Sequence, residues 1–117
     1  MRFQVRNIDP DLIMPGARLQ GQDLSETNLV GVNLIGANLS QANLQSAFLG
    51  KANLTQADLS GEDLQGADLN KANLIDADLE AVKLDGANIN GADLTRARLV
   101  GTKISEQQLM SAASIKG

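Results

Sequence analysis

A branched aliphatic residue at every fifth position, from Leu19 to Leu109, constrains the fold more than any other feature of this sequence. The period holds over 19 consecutive positions without an insertion or deletion, and all of them are Leu except Ile89 and Ile104. A small residue, most often Ala, stands two positions before most of them, and Asn or Asp usually lies between the two. The repeating unit is therefore A-[D/N]-L-X-X.

Neither regular secondary structure accommodates this period on its own. An α-helix advances about 100° per residue, so a five-residue step turns Leu by about 140° each time and leaves no single apolar face. In a straight strand, side chains alternate with period two, so an odd step moves Leu to the opposite face at every repeat. If the chain turns a corner within each repeat, Ala and Leu point inward, Asn or Asp points outward, and the last two residues form the corner. The sequence thus predicts a solenoid.

The A-[D/N]-L-X-X unit resembles the pentapeptide-repeat family over about residues 17 to 109. The resemblance implies an all-β fold, namely a right-handed, four-sided parallel β-helix with four repeats per coil. Residues 17–104 then make about 4.5 coils of 20 residues, and residues 20 apart stack at roughly the 4.8 Å spacing of neighbouring strands. The predicted core ladder consists of Leu39, Leu44, Leu49, Leu54, Leu59, Leu64, Leu69, Leu74, Leu79, Leu84, Ile89 and Leu94.

The N-terminal end of the repeat array needs a cover, because an open solenoid end exposes core side chains and unpaired strand edges. The residues before the first repeat lack the five-residue pattern. Phe3, Val5 and Ile8 alternate there with polar residues, which predicts a short extended cap over the first coil. Pro10 and Pro15 are expected to mark loops.

At the C-terminal end, Ser105 to Gln108 resembles a capping box and predicts a short helix through about Ala113. Leu109 and Met110 on that helix are candidates to cover the last coil. A homodimer formed through one terminus, as the resemblance implies for some family members, is the alternative to a monomer. The predicted division of the chain is a cap at 1–16, the β-helix at 17–104 and a C-terminal cap at 105–117.

Composition argues against several functions. The chain has no His and no Cys, which removes the commonest general base, the commonest metal ligand and any thiol nucleophile. Its net charge of −4 disfavours direct binding of nucleic acid. No segment approaches the ~20 apolar residues of a membrane helix, and no secretory signal is evident, so a cytoplasmic location is expected if Met1 is the true start. We predict no catalytic residue, no cofactor and no metal.

Glu62 breaks the pattern, because it occupies an inward position that is normally Ala. Its predicted column contains Gln22, Ala42, Val82 and Thr102. An unpaired buried carboxylate is costly. Glu62 is therefore either an internal site with a raised pKa or a structural irregularity, such as a bulge, a backbone-bonded side chain or one that swings out at the corner.

Carboxylates crowd the outer surface of the middle repeats, with Asp58 and Asp78 in one column and Asp76 and Glu80 beside them. One interpretation is a partial imitation of DNA phosphates, since the resemblance implies that some family members bind type II topoisomerases such as DNA gyrase in place of DNA. The other is that the repeat simply places Asp outside, with Arg98 in the same column offsetting the charge.

Outward apolar residues suggest a second surface. Ile35 and Ile75 share a predicted column with Thr55 and Thr95, and Phe48 lies on the adjoining side. A β-branched stripe can bind a partner or can merely suit a flat ladder. The chain is therefore predicted to be a non-catalytic structural or protein-interaction module with an unidentified protein partner, and a topoisomerase-binding DNA mimic is the alternative.

Overall fold

Parallel bridges between residues 20 apart organise the chain. The structure is a computed structural model and describes residues 8–114. Its first four bridges are Arg18↔Asn38, Asp23↔Asn43, Asn28↔Phe48 and Asn33↔Asn53, and the next continues the first column from Asn38 to Asp58. Four bridge columns therefore repeat with every 20 residues, which gives each coil four sides.

Each side of a coil is too short to form an extended strand. Within residues 8–114, every β-bridge is isolated, and a turn lies on either side of it. The ladder is nevertheless continuous between coils: Leu39 N–H donates to the Asp58 carbonyl at 2.8 Å, and Asp58 N–H donates to the Ala37 carbonyl at 2.9 Å. The all-β expectation is thus realised as stacked single rungs, because the corner takes two residues of each five-residue repeat and the remaining three are too few for an extended strand.

The corners require a left-handed backbone. The residue two positions after each inward Leu has a positive φ along most of the solenoid, and Gly fills about half of these corners. One corner column shows both solutions, with φ of +67° at Gly36, +60° at Gln56, +58° at Asp76 and +57° at Arg96. A side chain in this conformation costs roughly 1–2 kcal/mol, so the repeat tolerates strain at the corners that Gly would relieve.

The core is a filled column of aliphatic side chains. All twelve residues of the predicted core ladder are only 0–3% exposed, and the inward alanines between them are 0–7% exposed. Fully burying one Leu contributes about 1.5–3 kcal/mol relative to exposing it. The same two inward side chains recur in most repeats, so the core needs no aromatic residue to fill irregular space.

The N-terminal segment contains a short 3₁₀ helix at Pro10–Leu12. Asp9 caps this helix by accepting a hydrogen bond from Asp11 N–H at 3.0 Å. The expected loop at Pro10 is therefore wrong, because Pro fits the first turn of a helix, where no N–H is needed. Ile8 packs partly buried against the core, whereas Phe3 and Val5 lie outside the described residues.

The α-helix α1 spans Glu106–Ser111 and begins with the predicted capping box. Ser105 Oγ accepts from Gln108 N–H at 3.0 Å, and Gln108 Oε1 accepts from Ser105 N–H at 2.9 Å. The helix ends at Ser111, two residues before the predicted end, because the backbone is already extended at Ala112. The suggested role of Met110 over the last coil is wrong, since its side chain is 84% exposed.

Beyond α1 the chain rejoins the ladder with a changed step. Ser114 bridges Asp93, 21 residues earlier, because α1 replaces the rung that would have stacked on Asn88. Gln108 partly substitutes for that rung: its Nε2 donates to the carbonyls of Leu84 at 2.8 Å and Ala87 at 3.1 Å. The Ala87 carbonyl is one that a further coil would have bonded, whereas the Leu84 carbonyl also accepts from Ala87 N–H at 2.9 Å.

Candidate interaction surface

One side of the solenoid carries two straight columns of short polar and β-branched side chains, and we call it the amide face. Ladder bridges run along it from Asn33 through Asn53 and Asn73 to Asp93 and Ser114. The second column, two residues further along each repeat, consists of Ile35, Thr55, Ile75 and Thr95. The two columns are straight, so the face is flat. Asp93 is their only charged member, so the face is also nearly neutral.

Local hydrogen bonds hold the amide face in place. The Oδ1 atom of each Asn or Asp accepts from the backbone N–H two residues later, as in Asn53 to Thr55 at 3.1 Å and Asn73 to Ile75 at 3.0 Å. Thr55 Oγ1 also donates to Asn53 Oδ1 at 2.7 Å. This turn chemistry explains why the repeat places Asn or Asp outside: the side chain fixes the approach to the next corner.

The two isoleucines of the amide face are half-buried. The apolar stripe expected from the sequence is therefore only partly exposed. Thr55 stands between Ile35 and Ile75 in the column, and its hydroxyl is directed to Asn53. The resulting surface presents methyl groups rather than hydroxyl donors. It therefore suits contact with a partner of mixed polar and apolar character.

The acidic residues lie on the neighbouring side and at the corner between the two sides. Arg96 pairs with Asp76 across one coil spacing at 2.8 Å, and the side chains also form a second hydrogen bond at 3.2 Å. Arg98 pairs with Glu80 at 2.9 Å and approaches Asp78 at 3.9 Å. Three of the four acidic residues proposed for a partner surface thus lie within ion-pair distance of two arginines, which offset two of the three negative charges.

The pKa shifts follow these contacts. The Arg96 guanidinium, which hydrogen-bonds to Asp76, lowers the pKa of that carboxyl, and the same pair raises the pKa of Arg96. The pKa of Asp93 is lowered by hydrogen bonds from the hydroxyl and backbone N–H of Thr95. The remaining residue of the group, Asp58, accepts from Ser60 Oγ at 2.6 Å. All of these carboxyl groups are exposed enough for solvent to screen them.

Phe48 lies on the side opposite the acidic residues and is half-buried. It occupies a ladder position that is Asn or Asp in most repeats, and it bridges Asn28 and Asp68. Val30, on the same side, is 57% exposed. Ile35, Ile75 and Phe48 therefore do not form one patch, since Phe48 belongs to a different ladder from the isoleucines.

Glu62 points into the solenoid and is completely buried, with 0% of its surface exposed. Neither carboxyl oxygen has a hydrogen-bond partner among the described residues. The coil before it places Ala42 at the same inward position, and the coil after it places Val82 there. The side chain has therefore not swung out at the corner.

Burial raises the pKa of Glu62 to about 9 from an ordinary value of 4.5. The main cause of the raised pKa is the loss of hydration, which the nearby backbone N–H groups of Asp63 and Leu44 partly oppose, and the Asp63 carboxylate raises the pKa further. The ionised form of a buried carboxyl without a partner is strongly disfavoured. Glu62 is thus neutral in the folded protein at neutral pH.

A cleft of about 820 Å³ separates α1 from the edge at Asn88 and is lined by Asp85, Lys103, Gln107 and other residues. It contains a single carboxylate, so it lacks the pair of carboxyl groups that glycoside hydrolases commonly use.

Within residues 8–114, no cluster of three or more acidic, His or Cys residues is arranged to hold a metal ion. The described helices include none with the length and apolar character needed to cross a membrane.

A family model described as pentapeptide repeats (8 copies) matches the chain in four overlapping stretches, at residues 13–50, 37–74, 49–85 and 72–106. The chain belongs to the pentapeptide-repeat family. The right-handed four-sided β-helix of this family agrees with the four bridge columns and the 20-residue step. No curated protein sequence matches the chain.

Solved structures of other pentapeptide-repeat proteins are similar to this one. Rfr23 from the cyanobacterium Cyanothece 51142 is 32% identical with a TM-score of 0.75, and the alignment covers 86% of this chain and 65% of Rfr23. HetL from Nostoc sp. strain PCC 7120, a protein involved in heterocyst differentiation regulation, is 34% identical over 89% of this chain and 49% of its own length, with a TM-score of 0.43. The chain thus spans less than two thirds of either protein.

QnrB1, a plasmid-mediated fluoroquinolone resistance protein, is 18% identical with a TM-score of 0.52, over 92% of this chain and 68% of QnrB1. At this identity the similarity concerns the fold alone.

Two features of the surface escaped the sequence analysis. The ion pair of Arg96 with Asp76 joins residues 20 positions apart, so the 20-residue stacking could have indicated it, as it did for the offsetting charge of Arg98. The backbone contacts of the Gln108 side chain carry no such signal. They depend on where α1 leaves the ladder, which the repeat does not determine.

Proposed function

We propose that this chain is a non-catalytic protein-interaction module that presents the amide face to a protein partner. The observation that supports this proposal is the geometry of the face: two regular columns, one of them containing Ile35 and Ile75, run across four coils with a single charged side chain, Asp93. A flat array of this kind offers shape and methyl contacts rather than a pocket for a small substrate.

The alternative of a topoisomerase-binding DNA mimic is less well supported. A DNA mimic needs unpaired negative charge at the spacing of phosphates, whereas Asp76, Asp78 and Glu80 all lie within ion-pair distance of an Arg. The residual charge on that side is therefore small. A supercoiling assay with purified DNA gyrase tests the alternative directly, and unchanged activity is the expected result.

We also propose an arrangement for the whole module. Residues 17–104 are taken as a continuous β-helix of about 4.5 coils, and α1 with its flanking residues as a partial cover of the C-terminal end. The Gln108 hydrogen bonds to Leu84 and Ala87 support this assignment of α1. We also propose a cytoplasmic location. The module is either a monomer or a dimer formed through one end, and sedimentation of the purified chain would distinguish the two.

The test of the amide face is a comparison of two double variants. Ile35→Lys with Ile75→Lys places two charges on the amide face, while Val30→Lys with Val100→Lys places two on exposed positions elsewhere. Each variant is immobilised and used to capture proteins from the source cell, with circular dichroism to show that both are folded. We expect a partner retained by wild type and by the Val variant to be lost with the Ile variant. Identical captured sets for both variants would exclude the amide face as the contact surface.

A further inference from the structure

The interior of the solenoid contains one ionisable side chain among the described residues, at Glu62. Thr27 is the other buried polar residue, and its hydroxyl donates to the Ser25 carbonyl at 3.3 Å. Glu62 differs because both of its oxygens lack partners. A buried carboxyl group without partners destabilises the fold, and Glu62 does not belong to the amide face. Its presence therefore needs a separate explanation.

Glu62 lies beside a rung of the ladder between coils. The residue after it, Asp63, forms a parallel bridge with Asn43, and Leu44 N–H donates to the Asp63 carbonyl at 3.0 Å. The Glu62 carbonyl in turn accepts from Lys83 N–H at 3.1 Å. Ladder contacts to both neighbouring coils therefore enclose the carboxyl group, which has no exposed surface.

The charged surroundings of Glu62 give it little help. The inward residues above and below it, Val82 and Ala42, are uncharged. Asp63 is the charged side chain that acts on it, and as a carboxylate it opposes ionisation. Lys83 donates its backbone N–H to the Glu62 carbonyl at 3.1 Å, but its side chain lies on the exposed outer surface. No cation inside the coil therefore offsets a negative charge on Glu62.

We propose that Glu62 is a proton-dependent weak point: the folded coil holds it as a neutral carboxylic acid, and its ionisation loosens the contact between the coils that contain Ala42 and Glu62. The proton is released to solvent, and the carboxylate gains hydration only if the ladder opens beside it, at the bridge between Asn43 and Asp63. The device lies in the interior and does not depend on the amide face or on any partner.

The direction of the pH effect follows from linkage. The unfolded chain loses the Glu62 proton near the ordinary pKa of 4.5, whereas the folded chain keeps it until the pKa of about 9. Between these values the folded state binds one more proton than the unfolded state, so stability falls as pH rises. It is fully retained below the unfolded value and levels off above the folded one. The equilibrium constant for unfolding is expected to rise about tenfold per pH unit in this window.

The stability test uses three proteins: wild type, Glu62→Gln and Glu26→Gln. Gln at position 62 keeps the size of the side chain but cannot ionise, and Glu26 is an exposed corner residue, so its change to Gln alters net charge equally. Urea unfolding is measured at intervals from pH 5 to pH 9. We expect wild type and Glu26→Gln to share the tenfold slope and Glu62→Gln to lack it. Parallel pH profiles for all three proteins would overturn the proposal.

A second measurement reads the proton directly and does not require any variant to fold. The chain has only four glutamates, at positions 26, 62, 80 and 106. With ¹³C-labelled glutamate, the carboxyl resonance of one of them should remain that of a protonated acid at pH 7 and titrate in the alkaline range, with amide exchange of Asp63 rising in parallel. Titration of all four below pH 6 would overturn the proposal, even if Glu62→Gln is unfolded.

Discussion

The middle of the solenoid and its C-terminal end contain the same repeat but differ in how deeply they bury it. Leu69, in the middle, has no exposed surface. Leu99 and Ile104, near the end, occupy equivalent inward positions and are only half-buried. Val100 beside them is 66% exposed.

The difference shows that burial in this fold depends on coils rather than on residue type. A Leu in the middle is covered by the coil before it and the coil after it, whereas one in the last coil has a neighbour on one side only. The contribution of an inward residue to stability should therefore rise with its distance from the open end. Three predictions test this relation, from the largest expected effect to the smallest.

Leu69→Lys should abolish folding, while Leu99→Lys should be tolerated. A charge at position 69 has no route to solvent, and the cost of burying it is comparable with the 5–15 kcal/mol that stabilises a typical domain. At position 99 a lysine side chain can reach water past the open end, and we expect a loss of about 1–3 kcal/mol. Thermal unfolding followed by circular dichroism distinguishes the two. Equal melting temperatures for Leu69→Lys and wild type would contradict the solenoid itself.

Gln108→Glu should destabilise the C-terminal end by about 1–3 kcal/mol at neutral pH. Glu retains the acceptor for Ser105 N–H but cannot donate to the carbonyls of Leu84 and Ala87. The loss is measured by urea unfolding, and it should shrink at acidic pH, where a protonated Glu can donate again. Ser105→Ala, which removes the N-cap alone, is the matched control and should cost about 1 kcal/mol. A Gln108→Glu variant as stable as wild type would show that the substitute rung contributes nothing.

Substitutions on the outer surface should have the smallest effect in both regions. Lys71→Ala, at an exposed corner in the middle, and Arg98→Ala, which removes the ion pair with Glu80 near the end, should each change stability by no more than about 0.5 kcal/mol. Melting curves at low and moderate salt measure this. A loss above about 1 kcal/mol for Arg98→Ala alone would mean that surface charge, not coil position, sets local stability.

The sequence predicts the parts of this fold that follow from a strict period. The uninterrupted step from Leu19 to Leu109 determines which side chains point inward, and Ser105 with Gln108 is enough to locate the start of α1. The period does not predict how a particular end is arranged. The 21-residue step to Ser114 and the exposure of Met110 both depend on the path of the chain after the repeats, which local pattern does not encode.

The candidate surface was predictable in position but not in character. The column of Ile35 and Ile75 follows from the repeat, whereas its half-buried state depends on stacked neighbours. The acidic residues of the outer surface can be identified from the sequence, whereas the ion pair between Asp76 and Arg96 depends on where the folded chain places the two side chains. For Glu62 the sequence left open whether the side chain points in or out, because both directions are possible at a five-residue corner, and only packing decides.

The four-column geometry has a consequence for how such a chain changes length in evolution. A tandem duplication of 20 residues adds one full coil, lengthens the solenoid by about 4.8 Å and leaves every outer column in line. A duplication of five residues keeps the core equally filled but rotates everything beyond it by about a quarter turn, so a binding stripe would be split between two sides. A duplication of five residues is therefore expected to preserve the folding of this protein. Only a duplication of 20 residues also keeps the residues of a binding surface in line.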